Sequence, residues 1–231
     1  WSSPALSSLV ERQITAWTIG NQARADRELE APWPVITVSR DFGARGREIA
    51  HQIAEEAHFS IWDKELVEAI ADEKGASMRL LESLDEVHVH GIQDAILSVL
   101  VGSTYTNSEY LQALMRVVHT LGRHGASVIV GRGAGYILDS EASLRVRFVA
   151  PSQTRVRWLA NSRHLTEHDA VKLMVKIDKE RSEFIKRSFG CDPSDPSAYD
   201  VVLNTAVFNH EQCVELVLAA YQTKVGREFG Q

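Results

Sequence analysis

The apolar positions of this chain change their period repeatedly along its length. Leu6, Val10, Ile14 and Trp17 recur at helical spacing, and a polar stretch from Asn21 to Glu30 then leads to Pro32 and Pro34. That pattern predicts an N-terminal helical extension over residues 1–33. Val35-Ile36-Thr37-Val38 is short and β-branched; after a glycine-bearing turn, Ile49, Ile53, Ala54 and Ala57 return to helical spacing. Strand, turn and helix in that order open an α/β unit. Four further short apolar runs, Phe59–Trp62, Ser127–Val130, Leu144–Ala150 and Asp200–Leu203, fit strands. Helical patterns lie between and after them: Leu66/Val67/Ile70, Ile92/Ile96/Val99, Tyr110/Leu114/Val117/Leu121 and Val214/Val217/Leu218/Tyr221. The alternation predicts one α/β domain over residues 34–231, with a mostly parallel sheet and helices on both faces. Residues 75–122 are helical in pattern throughout and predict an inserted helical lobe. Gly190 to Pro196 is a polar loop leading into the last strand.

Composition narrows the function. The 231 residues carry 25 Lys+Arg against 31 Asp+Glu, a net charge of −6, which argues against a general nucleic-acid binder. Between Ser143 and Arg187, however, 11 basic residues face 5 acidic ones. A basic segment inside an acidic protein points to a small polyanionic ligand. Cys191 and Cys213 are too few for a disulfide framework or a cysteine metal site, and they fit a reducing compartment. No apolar run approaches the ~18–20 residues of a membrane span. The start at Trp1 points to a trimmed chain, and the N-terminus lacks a signal-peptide pattern. The expectation is a cytoplasmic protein without membrane contact.

The turn after the first strand reads Ser39-Arg40-Asp41-Phe42-Gly43-Ala44-Arg45-Gly46-Arg47-Glu48. It falls at the carboxyl edge of the sheet, where open α/β sheets bind ligands. Glycines let backbone N–H groups turn inward, the following helix N-terminus favours an anion, and Arg45 and Arg47 add charge. Against the pattern G-x-x-x-x-G-K-[ST], Asp41 replaces the first glycine, Arg47 the lysine and Glu48 the magnesium-binding hydroxyl. On these residues alone, a phosphate cradle and an ordinary strand-to-helix turn both remain open.

Four motifs in order carry a resemblance: Ser39-Arg40-x-Phe42-Gly43-x-x-Gly46-Arg47-Glu48-Ile49, Trp62-Asp63-Lys64-Glu65-Leu66, Val130-Gly131-Arg132-Gly133-Ala134 and Tyr199-Asp200-Val201-Val202-Leu203-Asn204-Thr205. From about Pro34 to Gly226 the chain resembles the cytidylate kinase-like family, a divergent branch of the P-loop nucleoside monophosphate kinases. The resemblance implies a three-layer sandwich around a five-stranded parallel sheet, an acceptor-binding helical lobe and a basic lid over 165–197. It implies ATP with Mg2+ as cofactors, and a small phosphate-bearing acceptor of the nucleoside monophosphate kind. The donor would lie on Arg40, Gly43, Ala44, Arg45, Gly46, Arg47 and Glu48. Arg47 or Arg45 would supply the missing lysine's charge, as a fork rather than a point. Glu48 would hold magnesium directly or through water. Asp63 and Lys64 would bind the acceptor, although Asp63 is also a good helix N-cap. Arg132 would take the acceptor phosphate. Lys179, Arg181, Lys186 and Arg187 would line the lid, Arg181 and Arg187 neutralising charge in transfer. Arg155, with Arg157, would flank the nucleotide base.

Other patterns carry less. Gly131-x-Gly133-x-Gly135 has the wrong spacing for a dinucleotide fingerprint, and no acid ends the next strand. His88/His90 and His164/His168 lack a metal-ligand pattern; Thr166 with Asp169 reads instead as a capping box. The tryptophans are scattered like packing residues. The apolar face of residues 107–121 reads as core or as a homodimer contact. Two other functional classes remain beside the kinase: a nucleotide-binding regulator that has lost its chemistry, and a purely structural interaction module.

Overall fold

The computed structural model describes residues 34–65, 67, 109–141 and 143–226, together with Arg12 and Thr15. The extension expected over 1–33, the helical patterns at Leu66/Ile70 and Ile92/Ile96/Val99, and most of the expected lobe fall outside the described residues. The elements run β1 (Val35–Arg40), α1 (Gly46–Glu56), β2 (Ser60–Trp62), α2 (Glu109–His124), β3 (Ser127–Val130), α3 (Ala134–Ile137) and β4 (Ser143–Val149). They continue with α4 (Ser152–Arg163), α5 (Glu167–Phe189), a 3-10 turn (Pro196–Ala198), β5 (Val201–Asn204) and α6 (His210–Val225).

The expected five strands form one sheet in the order β2-β3-β1-β4-β5, every neighbouring pair parallel. Strand periodicity divides β1 between two cores. Val35, with Trp62 and Ile129, packs under α2 and α3 against Leu114, Val117, Val118 and Leu121. Ile36 and Val38, with Val128, Val146 and Phe148, pack under α1 and α6 against Ile49, Ile53, Val214 and Val217. Of the two expectations for the face of residues 107–121, core is the one realised: Leu114 and Val118 are fully buried. Register pairs Val38 with Val130 on one side and with Val146 on the other. The turns after β1, β3 and β4 therefore meet at one edge.

A third, smaller cluster joins α4 to α5 through Val156, Leu159, Ala170 and Met174, with Phe42 of the glycine turn packed against it. Helix α5 starts where Thr166 accepts the amide of Asp169 at 3.1 Å, as the capping pattern predicts. Its far end crosses the turn after β3. There Phe189 stacks on Tyr136 at 5.7 Å and occupies the space a Cβ on Gly133 would need. Gly133 has φ +71°, so both backbone and packing require glycine. At the amino-terminal edge, Asp200 receives Arg145 and Lys224 at 2.9 and 2.8 Å. Burial alone would raise this carboxyl, but the hydrogen bonds from Arg145 and Lys224 outweigh it and bring it down to about 2.

Gly133→Ala should destabilise by about 2–4 kcal/mol, from the left-handed backbone plus the collision with Phe189. Gly190→Ala, left-handed but with open space around it, should cost about 1 kcal/mol. Urea unfolding midpoints compare the two. Because Asp200 is depressed from 3.8 to about 2, its contribution is present above about pH 4 and lost as pH falls toward 2. Asp200→Asn should flatten that limb of a stability–pH profile.

Candidate functional site

A cavity of about 870 Å3 opens at the carboxyl edge, lined by the turns after β1 and β3 and by α4, α5 and the loop following α5. Its shape begins with the glycine turn. The Asp41 amide donates to Phe148 O at 3.0 Å, and Ala44 N closes a tight turn on Asp41 O. Thr205, buried beyond β5, donates to Ala44 O at 3.0 Å. Ala44 itself is fully buried behind the turn. Arg45 has φ +58°, and α1 starts at Gly46 without a side-chain cap. Among the described residues, no acceptor takes the amides of Gly43, Arg45, Gly46, Arg47 or Glu48. These are the donors an anion at a helix start would meet.

Helices α4 and α5 hold the other side of the turn. Phe42 N donates to Asp178 Oδ1 at 2.8 Å. Arg155 donates to Asp178 Oδ2, to Phe42 O at 3.1 Å and to Ala150 O at 3.1 Å. The Phe42 ring sits between the guanidinium groups of Arg163 and Arg181, 5.1 and 5.3 Å away. Arg155 thus binds the turn to the helices rather than opening onto a base, and Arg157 is exposed outside the cavity.

The expected lysine substitutes turn elsewhere. Arg47 bonds Asp63 at 2.5 Å and approaches Glu65 at 3.7 Å. Arg45 lies 4.1 Å over the Trp158 ring. Three other guanidinium groups converge instead. Arg40, at the end of β1, presses on Gly131 so closely that Nη1 lies 2.3 Å from where a Cβ would stand. Arg181 reaches across from α5 and donates to Arg40 O at 3.0 Å. Arg132 lies over the Phe184 ring at 5.1 Å and lines the same cavity. Burial first, then repulsion from Arg181, Arg47 and Arg132 against the pull of Glu65, pushes Arg40 down to about 9. Burial also lowers Arg181. Arg40 remains a cation at neutral pH, and its guanidinium has no hydrogen bond or ion pair among the described residues. A half-buried cation in that state gains most from an anion.

The remaining expected residues divide. Gly43, Gly46, Glu48, Lys64 and Lys186 line the cavity. Asp63 is buried on Arg47, and Val67 N bonds its carbonyl. Lys179 and Arg187 both pair with Glu183 on an exposed face of α5 and do not line the cavity. Helical spacing does not sort the lid cations: Lys179 and Lys186 are seven residues apart on α5, yet only Lys186 lines the cavity. Glu48 is exposed and makes no ion pair among the described residues. No cluster of three metal-ligating side chains gathers among the described residues. A magnesium ion arriving with ATP needs only one or two carboxylates, with phosphates and water completing its shell, so Glu48 fits it.

Four contributors escaped the sequence. Arg147 donates to Asp41 at 2.8 Å, Ser39 at 3.2 Å and Tyr199 at 3.3 Å. Tyr199 also meets Tyr136 at 3.0 Å and donates to Pro193 O at 2.8 Å, fastening the loop after α5. Burial raises Asp41, and burial with the Tyr199 contact raises Tyr136. Trp158 is a cavity wall rather than a plain packing residue, and Asp178 is the fastener of the glycine turn. Only Tyr199 stood inside a quoted motif. Asp178→Ala should remove the bonds to Phe42 N and Arg155, destabilising by about 1–3 kcal/mol and lowering Tm by about 2–10 °C. Lys179→Ala should leave Tm within about 1 °C; calorimetric melting compares them.

A family model described as the cytidylate kinase-like family matches residues 35–207. The cytidylate kinase of Sulfolobus acidocaldarius is 25% identical over 97 residues, 42% of this chain, and the match spans about half (53%) of that protein's length. The cytidylate kinase of Pyrococcus horikoshii is 24% identical over 189 residues, covering 80% of this chain and 87% of that one. In structure, an uncharacterized protein from Eubacterium ventriosum superposes with a TM-score of 0.66 at 18% identity, over 83% of this chain and 99% of that one, a likeness of fold. With the match covering the whole parallel sheet and every turn of the cavity, the chain belongs to the cytidylate kinase-like family.

Proposed function

We propose that this protein is a phosphotransferase that moves the γ-phosphoryl of ATP to a small phosphate-bearing acceptor of the nucleoside monophosphate class. The observation that carries this reading is the convergence of Arg40, Arg132 and Arg181 beside the open amides of the glycine turn. Triphosphate on those amides would put its outer end toward the three cations. Arg132, in the turn after β3, is suited to the acceptor phosphate, with Lys64 opposite. Arg181 and Lys186 approach from α5. Gly43, Gly46 and the backbone of Arg45 and Arg47 fit the inner phosphates, Trp158 and Arg45 bound the outer wall, and Glu48 fits magnesium. Magnesium held with ATP at Glu48 would withdraw charge from the donor phosphates. The protein's share of catalysis is positioning and charge neutralisation. A phosphate acceptor is already a nucleophile, so no general base is assigned.

Arg45 on Trp158 and Arg47 on Asp63 favour a second reading, a nucleotide-binding regulator without transfer, because the turn's own cations are engaged. Purified protein with ATP, Mg2+ and a panel of nucleoside monophosphates should form ADP with at least one of them. ATP binding by calorimetry with silence across the panel would favour the regulator, and no binding would overturn both. Arg132→Ala should raise the acceptor KM about 10–100-fold; an unchanged KM would remove it from the acceptor site.

A further inference from the structure

We infer that Arg40, the last residue of β1, is the cation that holds the transferring phosphoryl group; this rests on the phosphotransfer reading above. Elimination among the basic residues around the turn comes first. Arg45 is stacked on Trp158, and Arg47 is bonded to Asp63. Arg147 is bonded to Asp41, and Arg155 to Asp178 and two carbonyls. Each therefore has a partner in the folded chain that an incoming phosphate would have to displace. Arg40 has none among the described residues, and it is half-buried in the cavity wall.

Location comes second. The donor amides belong to residues 43–48, and the acceptor-side turn is Gly131-Arg132-Gly133. The Arg40 guanidinium lies against Gly131, in the field of Arg132, Arg181 and Arg47 at once. It stands where the outer phosphate of a donor on the first turn meets an acceptor on the second. The β1–β3 pairing fixes that place, because Gly131 N donates to Val38 O at 3.0 Å. A lysine rising from the turn would reach the same region as a point charge. Arg40 reaches it from below as a planar fork suited to two oxygens of one phosphoryl group. In the step itself, the bond from the γ-phosphorus to the β–γ bridging oxygen breaks, and its electron pair leaves on ADP. An acceptor phosphate oxygen forms the new bond to phosphorus. Arg40 transfers no proton and stays bonded to the equatorial oxygens throughout.

Calorimetric titration of the whole chain with MgATP and with MgADP tests the role. The wild type should bind ATP at least about 10-fold more tightly than ADP. Arg40→Gln should bring that ratio to about 1 while keeping the ADP affinity. Gly131→Ala, which displaces the guanidinium without removing it, should do the same. Arg40→Lys should fall between. The Tm of ligand-free Arg40→Gln should equal or exceed that of the wild type, because a half-buried cation repelled by Arg181, Arg47 and Arg132 is removed. A ratio that survives Arg40→Gln would overturn the role of Arg40 and leave phosphotransfer standing. An equal loss of ATP and ADP affinity, or equal affinities in the wild type, would also overturn it. Failure of the wild type to bind either nucleotide would sink the phosphotransfer reading and this inference together. If Arg40→Gln does not fold, the ratio in Arg40→Lys decides the matter, an unchanged value counting against.

Discussion

A guanidinium half-buried among other guanidinium groups, with no carboxylate bonded to it among the described residues, is an expensive arrangement, and Arg40 is in that state. The sheet imposes it. Strand alternation sends Ile36, Val38 and the Arg40 side chain to the face under α1, and the parallel pairing with β3 brings Gly131 against the guanidinium. Arg132 and Arg181 approach the same point from the next turn and from α5, so repulsion adds to the desolvation. The ligand-free protein carries this cost because neighbouring structure over-determines it: two parallel ladders and the Phe189–Tyr136 stack fix the positions of all three turns. An anion relieves burial and repulsion together, which makes affinity for phosphate a property of the backbone topology as much as of the cations themselves.

The glycine turn is held by contacts from far along the chain. Phe42 is clasped by Asp178, Arg155, Arg163 and Arg181, all from α4 and α5. The turn and the α4–α5 pair are therefore joined by hydrogen bonds. Asp178 lies one helical turn before Arg181, so the carboxylate that fastens the turn also fixes the approach of the cation that follows it. The basic excess between Ser143 and Arg187 divides in the same way. Arg147 and Arg155 hold the edge together, Arg181 and Lys186 face the cavity, and Lys179 and Arg187 form ion pairs at the surface.

The sheet was legible in the sequence because β1 and β3 are short, largely β-branched runs buried over Val35–Val38 and Ser127–Val130, and the turns after them carry glycine at the ligand edge. Arg40 and Arg132 were legible for the same reason: strand ends and the turns that follow them are fixed by the strands. Arg45 and Arg47 were not. A long side chain's direction depends on which partner the fold brings near, and Trp158 and Asp63 reach them only through tertiary packing. Arg147 and Asp178 meet the turn across 106 and 136 residues of chain, a separation that no local pattern encodes. The lid cations show the same limit in one helix. Period 3.6 groups them into faces, and only the packing of Met174 and Ile185 determines which face turns inward.

The most direct test is to locate a heavy anion. Crystals of the whole chain grown with tungstate, measured at an anomalous wavelength, should show the metal within hydrogen-bonding reach of the Arg40 guanidinium and the amides of Gly46 to Glu48. Tungstate bound only at surface cations such as Lys179 and Arg187, with the space between Arg40 and Gly46 empty, would contradict the account.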